Sequence, residues 1–579
     1  MYLDQTSHQR AGGLRVVCPA ALGCALLALA GCTANQYEER ADREVYGIVQ
    51  AVEQEVFGRT NQFRIDTAWS ERDPDSILAP EIIAERTETN RLTLSLEDAL
   101  DLAARQSRRY QTEKERLYLT ALTLTGEQYE FGPQFFASTG ADYLRSSSGE
   151  RSSSLGTRIG VSQLLKTGGQ LSLNLANDIL RYYTGNARRE TINTISVNLA
   201  QPLLRGFGDN NAAVERLTQA ERNVVYAVRS YSYFQKEYAI GIVNDYFSLL
   251  GQKNVIRNTY SNYVSQVQST KRLEARSRDR ESINDVDRAR SSELSARNSY
   301  VNTIASYFNS LDAFKLELGL PLNVQLYLDD NELNELQSIG LIPVNLDKNA
   351  AFRLAVERNY PLMNSIDQFE DTGRKLRIAR DQLKADLNFF ANASLASDGP
   401  TDYTDFDINN VRYNFGLQLD LPIDRLRERN SYRAALVNFE ADIRNLALDL
   451  DSLKDRIERG VRTLEQRRQN YLIQQNALQL ANRRVESSAL LLEAGRGTVL
   501  DLVDAQNEQI SAQNSVTSAL VNYQATRLEL LLTIGIVETE SAKFWFRGPL
   551  EDTPELITTD TRVDFASEQP LDPDAIFKN

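Results

Sequence analysis

Alternation of apolar and polar residues with a period of two predicts several β-strands. In "NVRYNFGLQLDLP", an apolar series runs from Val411 to Leu421, and polar residues or glycine occupy the alternate positions. Similar alternation occurs from Phe135 to Tyr143, from Ile195 to Leu199 and from Phe389 to Leu395. Strands with one apolar and one polar face fit either a soluble sandwich or a membrane barrel. Strand lengths of about ten residues favour the barrel.

Two long stretches without proline predict unusually long helices. They run from Asn211 to Ala275 and from Asn430 to Ala494, which is 65 residues each. At about 1.5 Å per residue, a continuous helix of this length reaches about 100 Å. Pro202 and Pro422 stand between the strand segments and these helices, where a residue that cannot donate to a sheet ladder marks the strand-to-helix transition.

The chain contains an internal repeat. "ALDLAARQSRRY" from Ala99 aligns with "AFRLAVERNYPL" from Ala351 at an offset of 252, and "DVDRARSSELSARNS" from Asp285 aligns with "DLVDAQNEQISAQNS" from Asp501 at 216. Each repeat is expected to open with a capped helix. The caps are predicted at Ser95, which forms a capping box with Asp98, and at Asn345 or Asp347. The spacing therefore predicts a tandem duplication.

The first repeat is longer than the second in its strand region. The offset falls from 252 to 220 where "VNLAQP" aligns with "LQLDLP", so the first repeat has 32 additional residues. The segment 157–183 contains two alternating runs around the turn "KTGG". It is either a hairpin added to the barrel or a flap outside it. We predict the hairpin, with polar loops at 146–156 and 184–190, and hence six strands per chain rather than four.

The N-terminus has the features of an export signal. Arg10 and Arg15 precede the apolar stretch "VVCPAALGCALLALAGC", which is too short to remain as a membrane-spanning helix. It ends in "LAGC", which resembles the bacterial lipobox, where cleavage precedes a cysteine that is then lipidated. We expect Cys32 to become the lipidated N-terminus, and Thr33 in place of aspartate favours the outer membrane. The alternative is a plain signal with a chance cysteine.

Composition argues against an enzyme. The cysteines stand at positions 18, 24 and 32, and His8 is the sole histidine, so the processed chain keeps one cysteine and no histidine. It then lacks histidine bases, histidine metal ligands and a free thiol nucleophile. The first 31 residues carry a net charge of +1, so their removal changes the formal charge from −14 to −15. This acidity argues against nucleic acid as a partner. We expect no catalysis, cofactor or metal site.

The order of these features resembles the TolC-type outer-membrane efflux protein family. The resemblance rests on "SLEDALDLA" (Ser95–Ala103), "QPLLRG" (Gln201–Gly206), "NDVDRARSSELSARN" (Asn284–Asn298) and "AGRGTVLDLVDAQ" (Ala494–Gln506). It implies an α+β fold in which a homotrimer completes a membrane β-barrel that is continuous with a long periplasmic α-helical barrel. With six strands per chain, we expect that barrel to have eighteen strands rather than twelve. It also implies a passive outer-membrane export channel. Its partners are a periplasmic adaptor and a proton-driven or ABC-type inner-membrane pump, in tripartite efflux or type I secretion.

The resemblance also implies a gate at the periplasmic end of the helices. By motif position, Asp501 and Asp504 line the constriction, and Asp285 links neighbouring coils. The family's arginine partner falls at Gly497, which leaves Arg496 or Arg276 as substitutes. Acids three residues apart share a helix face, so three copies would place six carboxylates around a narrow axis and attract cations. The alternative is that both acids only stabilise a helix N-terminus.

The expected organisation has six parts. They are a signal peptide (1–31), an N-terminal periplasmic extension (32–90), a first repeat (91–322), a linker (323–343), a second repeat (344–537) and an acidic C-terminal periplasmic tail (538–579). A competing interpretation is a structural lipoprotein whose coiled coils span the envelope without a pore. Drugs, metals and secreted proteins are all compatible cargo for an export channel.

Overall fold

The computed structural model describes residues 34–60, 62–184, 189–276, 283–344, 346–397, 405–421 and 423–547. Cys32, Asn345 and Pro422 lie outside these residues. The chain divides into two compact units, Met1–Phe63 and Arg64–Asn579. The first contains helix α1 (Ala34–Phe57) and an edge-on contact between the rings of Tyr46 and Phe63. Among the described residues, no helix combines the length and the apolar character needed to cross a membrane.

The second unit contains the predicted strands and long helices. In chain order, its elements are α2 (Ala79–Thr87), β1 (Arg91–Leu94), α3 (Leu96–Gln106), α4 (Arg108–Phe131), β2 (Gln134–Arg145), β3 (Arg151–Leu164), β4 (Gln170–Tyr182), β5 (Arg189–Pro202), α5 (Ala212–Arg276), α6 (Ile283–Glu317), β6 (Gln325–Leu328), α7 (Asn331–Ile339), α8 (Lys348–Arg358), α9 (Tyr360–Asp381), β7 (Asp386–Ala396), β8 (Arg412–Asp420), α10 (Leu426–Glu493) and α11 (Val499–Ile534).

Side-chain caps start the short helices at the predicted positions. The Ser95 hydroxyl accepts a hydrogen bond from the Asp98 amide (3.1 Å), and the Asp98 carboxylate accepts one from the Ser95 amide (3.3 Å), which completes the capping box of α3. At α8, the Asp347 carboxylate accepts a hydrogen bond from the Ala350 amide (3.0 Å). Each cap satisfies amides that have no partner within the first helical turn.

Six strands form one antiparallel sheet in the order β2-β3-β4-β5-β7-β8. Its register places most apolar residues on one face, although that face also carries the polar row Thr139, Thr157, Asn177 and Asn193. One row across all six strands is apolar and consists of Phe135, Val161, Leu173, Val197, Ala393 and Tyr413. The adjacent row points to the other face and is polar: Gln134, Ser162, Ser172, Asn198, Asn392 and Asn414. A shift of one residue in any strand would exchange its faces, so the alternating pattern specifies this register.

The additional residues of the first repeat lie inside this sheet. β3 and β4 pair with each other and with β2 and β5, so the hairpin interpretation is correct and the flap is not. Their turn includes Gly168, whose φ of +87° is readily adopted only by glycine. The predicted loop at 146–156 is wrong in length. Residues 151–156 belong to β3, because their backbone continues the ladders to β2 and β4 beyond the apolar part of the strand.

The two long helices pass through the whole helical region. α5 has 65 residues and α10 has 68, so each is about 100 Å long. Next to the sheet, the helices pack side by side in the order α4-α5-α9-α10. Beyond that layer, α6 packs on α5 and α11 packs between α5 and α10. The chain therefore forms two helical layers, one next to the sheet and one beyond it. The long helices α5 and α10 belong to both layers.

Two glycines make matching helix junctions. Gly319 follows α6 and has a φ of +80°, and a Cβ placed on it would lie 2.2 Å from the Gln106 carbonyl oxygen at the end of α3. Gly535 follows α11 with a φ of +86°, and its Cβ would lie 2.6 Å from the Arg358 carbonyl oxygen at the end of α8. Both positions require glycine for conformation and for space.

Residues assigned to the linker and the start of the tail form part of the folded unit. β6 pairs in parallel with β1, and α7 follows it. Trp545 is buried, and its carbonyl accepts a hydrogen bond from the guanidinium of Arg527. Arg527 also donates to the Arg547 carbonyl at 2.7 Å, and burial lowers its pKa to about 10, so it remains charged at neutral pH. The start of the C-terminal tail is therefore held against α11 by hydrogen bonds.

Candidate functional site at the helix tips

Helices α5 and α6 form one helical hairpin, and α10 and α11 form a second. The tips of these two hairpins pack against each other through a small apolar cluster. It contains Leu273 of α5, Ala289 of α6, and Val499 and Val503 of α11, all buried, with Val286 and Leu492 at its edge. The structure thereby brings the segments containing Asp285 and the pair Asp501 and Asp504 to the same end of the helices. These three acids come from parts of the chain more than 200 residues apart.

Asp501 has a structural partner that the sequence analysis did not identify. The Thr498 hydroxyl accepts a hydrogen bond from the Asp501 amide (3.2 Å), and the Asp501 carboxylate accepts bonds from the Thr498 amide (3.0 Å) and hydroxyl (2.7 Å). This is a capping box at the start of α11. The hydrogen bonds from Thr498 hold the pKa of the Asp501 carboxyl below its usual range, so it is ionised at neutral pH. The spacing T-x-x-D is the signal that identifies it.

The other two acids are placed differently. Asp504 lies one turn further along α11 and is exposed, whereas Asp285 lies in the first turn of α6 and is half-buried. Asp501 therefore supports the helix start, as the alternative interpretation requires, while the Asp504 carboxylate is open to solvent in the isolated chain. A helix-start role for Asp501 and a pore-lining role for Asp504 are compatible.

The turn between α10 and α11 explains the glycine at position 497. Gly495 has a φ of +73°, and the amides of Arg496 and Gly497 both donate to the Leu491 carbonyl, at 2.8 and 3.0 Å. A Cβ on Gly497 would lie 3.1 Å from the Leu492 amide nitrogen, which leaves little room for a side chain. Arg496 projects from this turn and is exposed. Arg276 ends α5, and its side chain lies outside the described residues.

Amide side chains join the two hairpins above the tip. Asn258 of α5 donates to Asn514 of α11 at 2.7 Å, and Asn262 donates to Asn507 at 3.0 Å. Gln266 is buried beside them and approaches Asn507 at 3.4 Å. The sequence analysis missed this seam, because its partners lie on different helices and more than 240 positions apart in the chain.

Thr498→Ala is expected to destabilise the tip without changing its charge. Loss of an N-terminal cap typically costs about 1 kcal/mol, so thermal unfolding should occur at lower temperature. Thr498→Ser keeps the hydroxyl and should unfold like the unmodified protein. The Asp501 pKa is depressed, so the contribution of its carboxylate to the capping box is present at neutral pH and should be lost as the pH falls through the folded-state pKa of this carboxyl. Equal stability of both variants at neutral pH would show that the box contributes nothing.

About three quarters of the chain resembles solved outer-membrane channels. It superposes on CmeC, the outer membrane channel of Campylobacter jejuni, with a TM-score of 0.57 and 13% identity over 76% of this chain and 85% of that chain. The outer membrane protein VceC from Vibrio cholerae matches with a TM-score of 0.55 and 14% identity over 76% of this chain and 96% of that one. The fold is that of the outer-membrane channels.

A third similar structure is CusC, in which conformational changes accompany folding and transmembrane channel formation. It matches with a TM-score of 0.56 and 12% identity over 76% of this chain and 92% of that chain. No family model and no curated protein matches the sequence. The resemblance to TolC-type channels that the sequence indicates is therefore confirmed for the fold, with long helices continuous with a β-sheet.

Several contacts hold the segment that leaves the sheet at the predicted transition, Pro202. Pro202 is the last residue of β5 and pairs with Asn388 of β7. Beyond it, the Leu203 amide donates to the Leu387 carbonyl at 2.7 Å, and the Arg205 guanidinium forms an ion pair with Asp386. These contacts fasten the segment that leaves the sheet before α5 begins.

Proposed function

We propose that the chain is one third of a trimeric outer-membrane export channel. The observation that carries this proposal is the six-stranded sheet, in which an apolar row crosses all six strands on one face and β2 and β8 stand at the two ends. Strands can cross lipid only when their edge donors and acceptors are paired, which a closed barrel achieves. A neighbouring copy that adds its β8 to β2 pairs both edges, because the two end strands run in opposite directions.

Exposed apolar residues on the helices support contacts between copies. On α6, Leu294, Val301 and Phe308 recur every seven residues, which places them along one face. On α10, Ile473, Leu480 and Leu491 lie on the face opposite its buried residues. We name these sets the α6 stripe and the α10 stripe. In the helical layer that is distant from the sheet, α6 and α10 are the two outer helices. The α6 stripe of one copy can therefore cover the α10 stripe of the next.

The proposed channel acts with a periplasmic adaptor and an inner-membrane pump, of the proton-driven or ABC type. This assignment extends the channel fold of the three similar structures to a role in tripartite efflux or type I secretion. The tandem duplication belongs to the same proposal. It is supported by the matching junctions at Gly319 and Gly535 and by the repeated order of helices and strands.

Single-channel recording tests the proposal. Purified protein in a planar bilayer should conduct ions in discrete steps, whereas the pore-free structural lipoprotein would leave the bilayer insulating. A bilayer that stays silent while the protein is inserted as a trimer would therefore favour that second interpretation.

Asp504→Asn is expected to weaken block of the channel by divalent or trivalent cations. The proposed ring contains three copies of this exposed carboxylate near the axis, and removal of three charges lowers the local attraction for multivalent cations. We expect about a tenfold or larger rise in the blocking concentration, measured in the same recordings. Asp287→Asn on α6 is the matched control and should leave block unchanged. Unaltered block in the Asp504 variant would show that this acid does not line the constriction.

Cys32 is proposed as the lipidated N-terminus of the mature protein, with residues 1–31 removed as a signal peptide. Cys32→Ser should abolish metabolic labelling with a fatty acid. A barrel has its own apolar surface, so assembly in the outer membrane should be reduced rather than lost. An acylated product in the serine variant would contradict this assignment.

A further inference from the structure

Three arginines stand at the end of the sheet that is remote from the helices. They lie on the face that carries the apolar row beginning at Phe135, which we name the lipid face. Arg145 ends β2 and pairs in register with Arg151, which begins β3. Arg181 of β4 lies in the next row on this face, opposite Ser153. All three arginine side chains are exposed, and we name them the arginine patch.

The arginine patch has no acidic counterpart on the lipid face. Among the strand residues of this sheet whose side chains the structure describes, every charged residue on the lipid face belongs to the patch. The acids at this end, Asp142, Asp178 and Glu190, lie on the other face. Within the described part of the chain, no arginine of the patch forms an ion pair, even with Glu150 in the adjoining turn. The patch is therefore an uncompensated positive charge.

The pairing of Arg145 with Arg151 is unfavourable without a ligand. Directly opposed residues of an antiparallel pair lie about 5 Å apart at Cα, and like charges at that spacing destabilise the sheet. An anion bound to both guanidinium groups offsets this repulsion, and a phosphate can accept paired hydrogen bonds from each of them. The opposed pair is therefore suited to a phosphate group.

The third arginine of the patch is held by an aromatic ring. The Arg181 guanidinium lies over the ring of Tyr183, 5.2 Å from its centroid. The hydroxyls of Tyr183 and Ser153 lie within hydrogen-bond distance, 3.0 Å apart, and the Tyr183 amide donates to the Arg151 carbonyl at 2.9 Å. These contacts restrict Arg181 before any ligand binds, so that less conformational freedom is lost on binding.

The height of the patch matches the surface of a membrane. β2 rises ten residues from Phe135 to Arg145, which is about 33 Å along the strand and about 25 Å along the membrane normal at a tilt of about 40°. The apolar band of a membrane barrel has this height and is bordered by aromatic rings. Phe135 and Tyr143, both exposed, provide such rings near the two ends of β2. Arg145 therefore lies level with the headgroups of the leaflet remote from the helices.

We propose that the arginine patch binds the phosphate groups of the glycolipid that forms the outer leaflet of a bacterial outer membrane. This inference rests on the proposed outer-membrane channel, which places the lipid face against the bilayer. A lipid phosphate fits better than a free phosphate ion, because Leu155 and Ile179 lie in the row next to Arg181 and can be covered by the acyl chains of the same molecule. In a trimer the patch occurs three times around the barrel.

Lipid binding to the purified trimer tests the patch. The triple variant Arg145→Gln, Arg151→Gln and Arg181→Gln removes its charge, and native mass spectrometry in detergent measures the binding of purified lipid A. We expect binding at least about tenfold weaker, because each arginine near a membrane surface adds to the attraction for anionic lipid.

A control variant loses the same number of charges outside the lipid face. It combines Arg158→Gln, Lys166→Gln and Arg412→Gln, at two strand positions of the other face and in the turn between β3 and β4. It should bind lipid A like the unmodified protein. Equal weakening in both triple variants would show that overall charge, rather than the patch, attracts the lipid.

Competitors identify the source of the bound phosphate. Dephosphorylated lipid A should bind at least about tenfold more weakly than lipid A, and inorganic phosphate should not displace the lipid. Three results would overturn the assignment to a glycolipid phosphate: undiminished binding of the dephosphorylated form, displacement by inorganic phosphate alone, or equally tight binding of phosphatidylglycerol.

The outcomes separate this inference from the proposed channel. If the unmodified protein conducts in a planar bilayer but binds lipid A no better than the triple variant does, the patch is refuted and the channel stands. If the protein forms no pore, the channel is refuted, whatever lipid it binds in detergent. If the triple variant does not assemble, the unmodified trimer decides, and equal binding of lipid A and its dephosphorylated form refutes the patch.

Discussion

Leu480→Glu is expected to prevent the formation of a stable trimer. Leu480 is 60% exposed in the single chain and is the central member of the α10 stripe. In the proposed assembly it packs against the α6 stripe of the next copy, so the substitution buries an unpaired carboxylate at each of three interfaces. Burial of an unpaired charge costs several kcal/mol, and about 3 kcal/mol per interface weakens association more than about a hundredfold. Trimer abundance after mild detergent extraction measures the effect.

A neighbouring residue provides the control for this experiment. Gln479→Glu adds the same charge one position earlier on α10, where the side chain points in a different direction and is also exposed. It should assemble like the unmodified protein. On the other side of the interface, Val301→Glu in the α6 stripe should reproduce the loss. Normal trimers in both stripe variants would show that these surfaces do not meet.

Gly535→Ala is expected to destabilise the folded chain strongly. A Cβ at this position would lie 2.6 Å from the Arg358 carbonyl oxygen, and the φ of +86° disfavours any residue with a Cβ. Strain and overlap together should cost on the order of 2 to 4 kcal/mol. Gly319→Ala should cost at least as much, because its Cβ would lie 2.2 Å from the Gln106 carbonyl oxygen. Thermal unfolding followed by circular dichroism measures both losses.

A helical glycine serves as the reference. A Cβ on Gly241, within α5, meets nothing within 4 Å, and its φ is not positive. Alanine is the better helix former by about 0.5 to 1 kcal/mol, so Gly241→Ala should be neutral or slightly stabilising. If Gly535→Ala and Gly241→Ala unfold at the same temperature, the junctions do not require glycine.

Local patterns predicted the elements of the fold, and repeated order predicted their arrangement. Period-two alternation over Val411 to Leu421 located β8 to within one residue at each end, because the side chains of a strand with one apolar face must alternate. The stretch from Asn211 to Ala275 located α5 equally well. α10 begins at Leu426, four residues before the predicted start, because helix ends depend on packing and caps as well as on composition.

The features that were missed depend on residues distant in sequence. The seam of Asn258 with Asn514 joins side chains 256 positions apart, and no pattern within either helix indicates it. The burial of Arg527 follows from the path of the chain after α11, because the carbonyls of Trp545 and Arg547 accept its hydrogen bonds. The α6 stripe differs from these two features, because it has a local signal. Leu294, Val301 and Phe308 recur every seven residues, and this spacing can be read directly from the sequence.

Electron cryomicroscopy of the purified protein in lipid nanodiscs tests the central claim most directly. The account predicts three copies around one axis, a closed barrel of eighteen strands in which β8 of each copy pairs with β2 of the next, and the row from Phe135 to Tyr413 facing the lipid. The helices should continue as one tube whose far end carries the three Asp504 carboxylates around its axis. A particle in which the sheets remain open, or in which the apolar row faces an aqueous interior, would contradict the account.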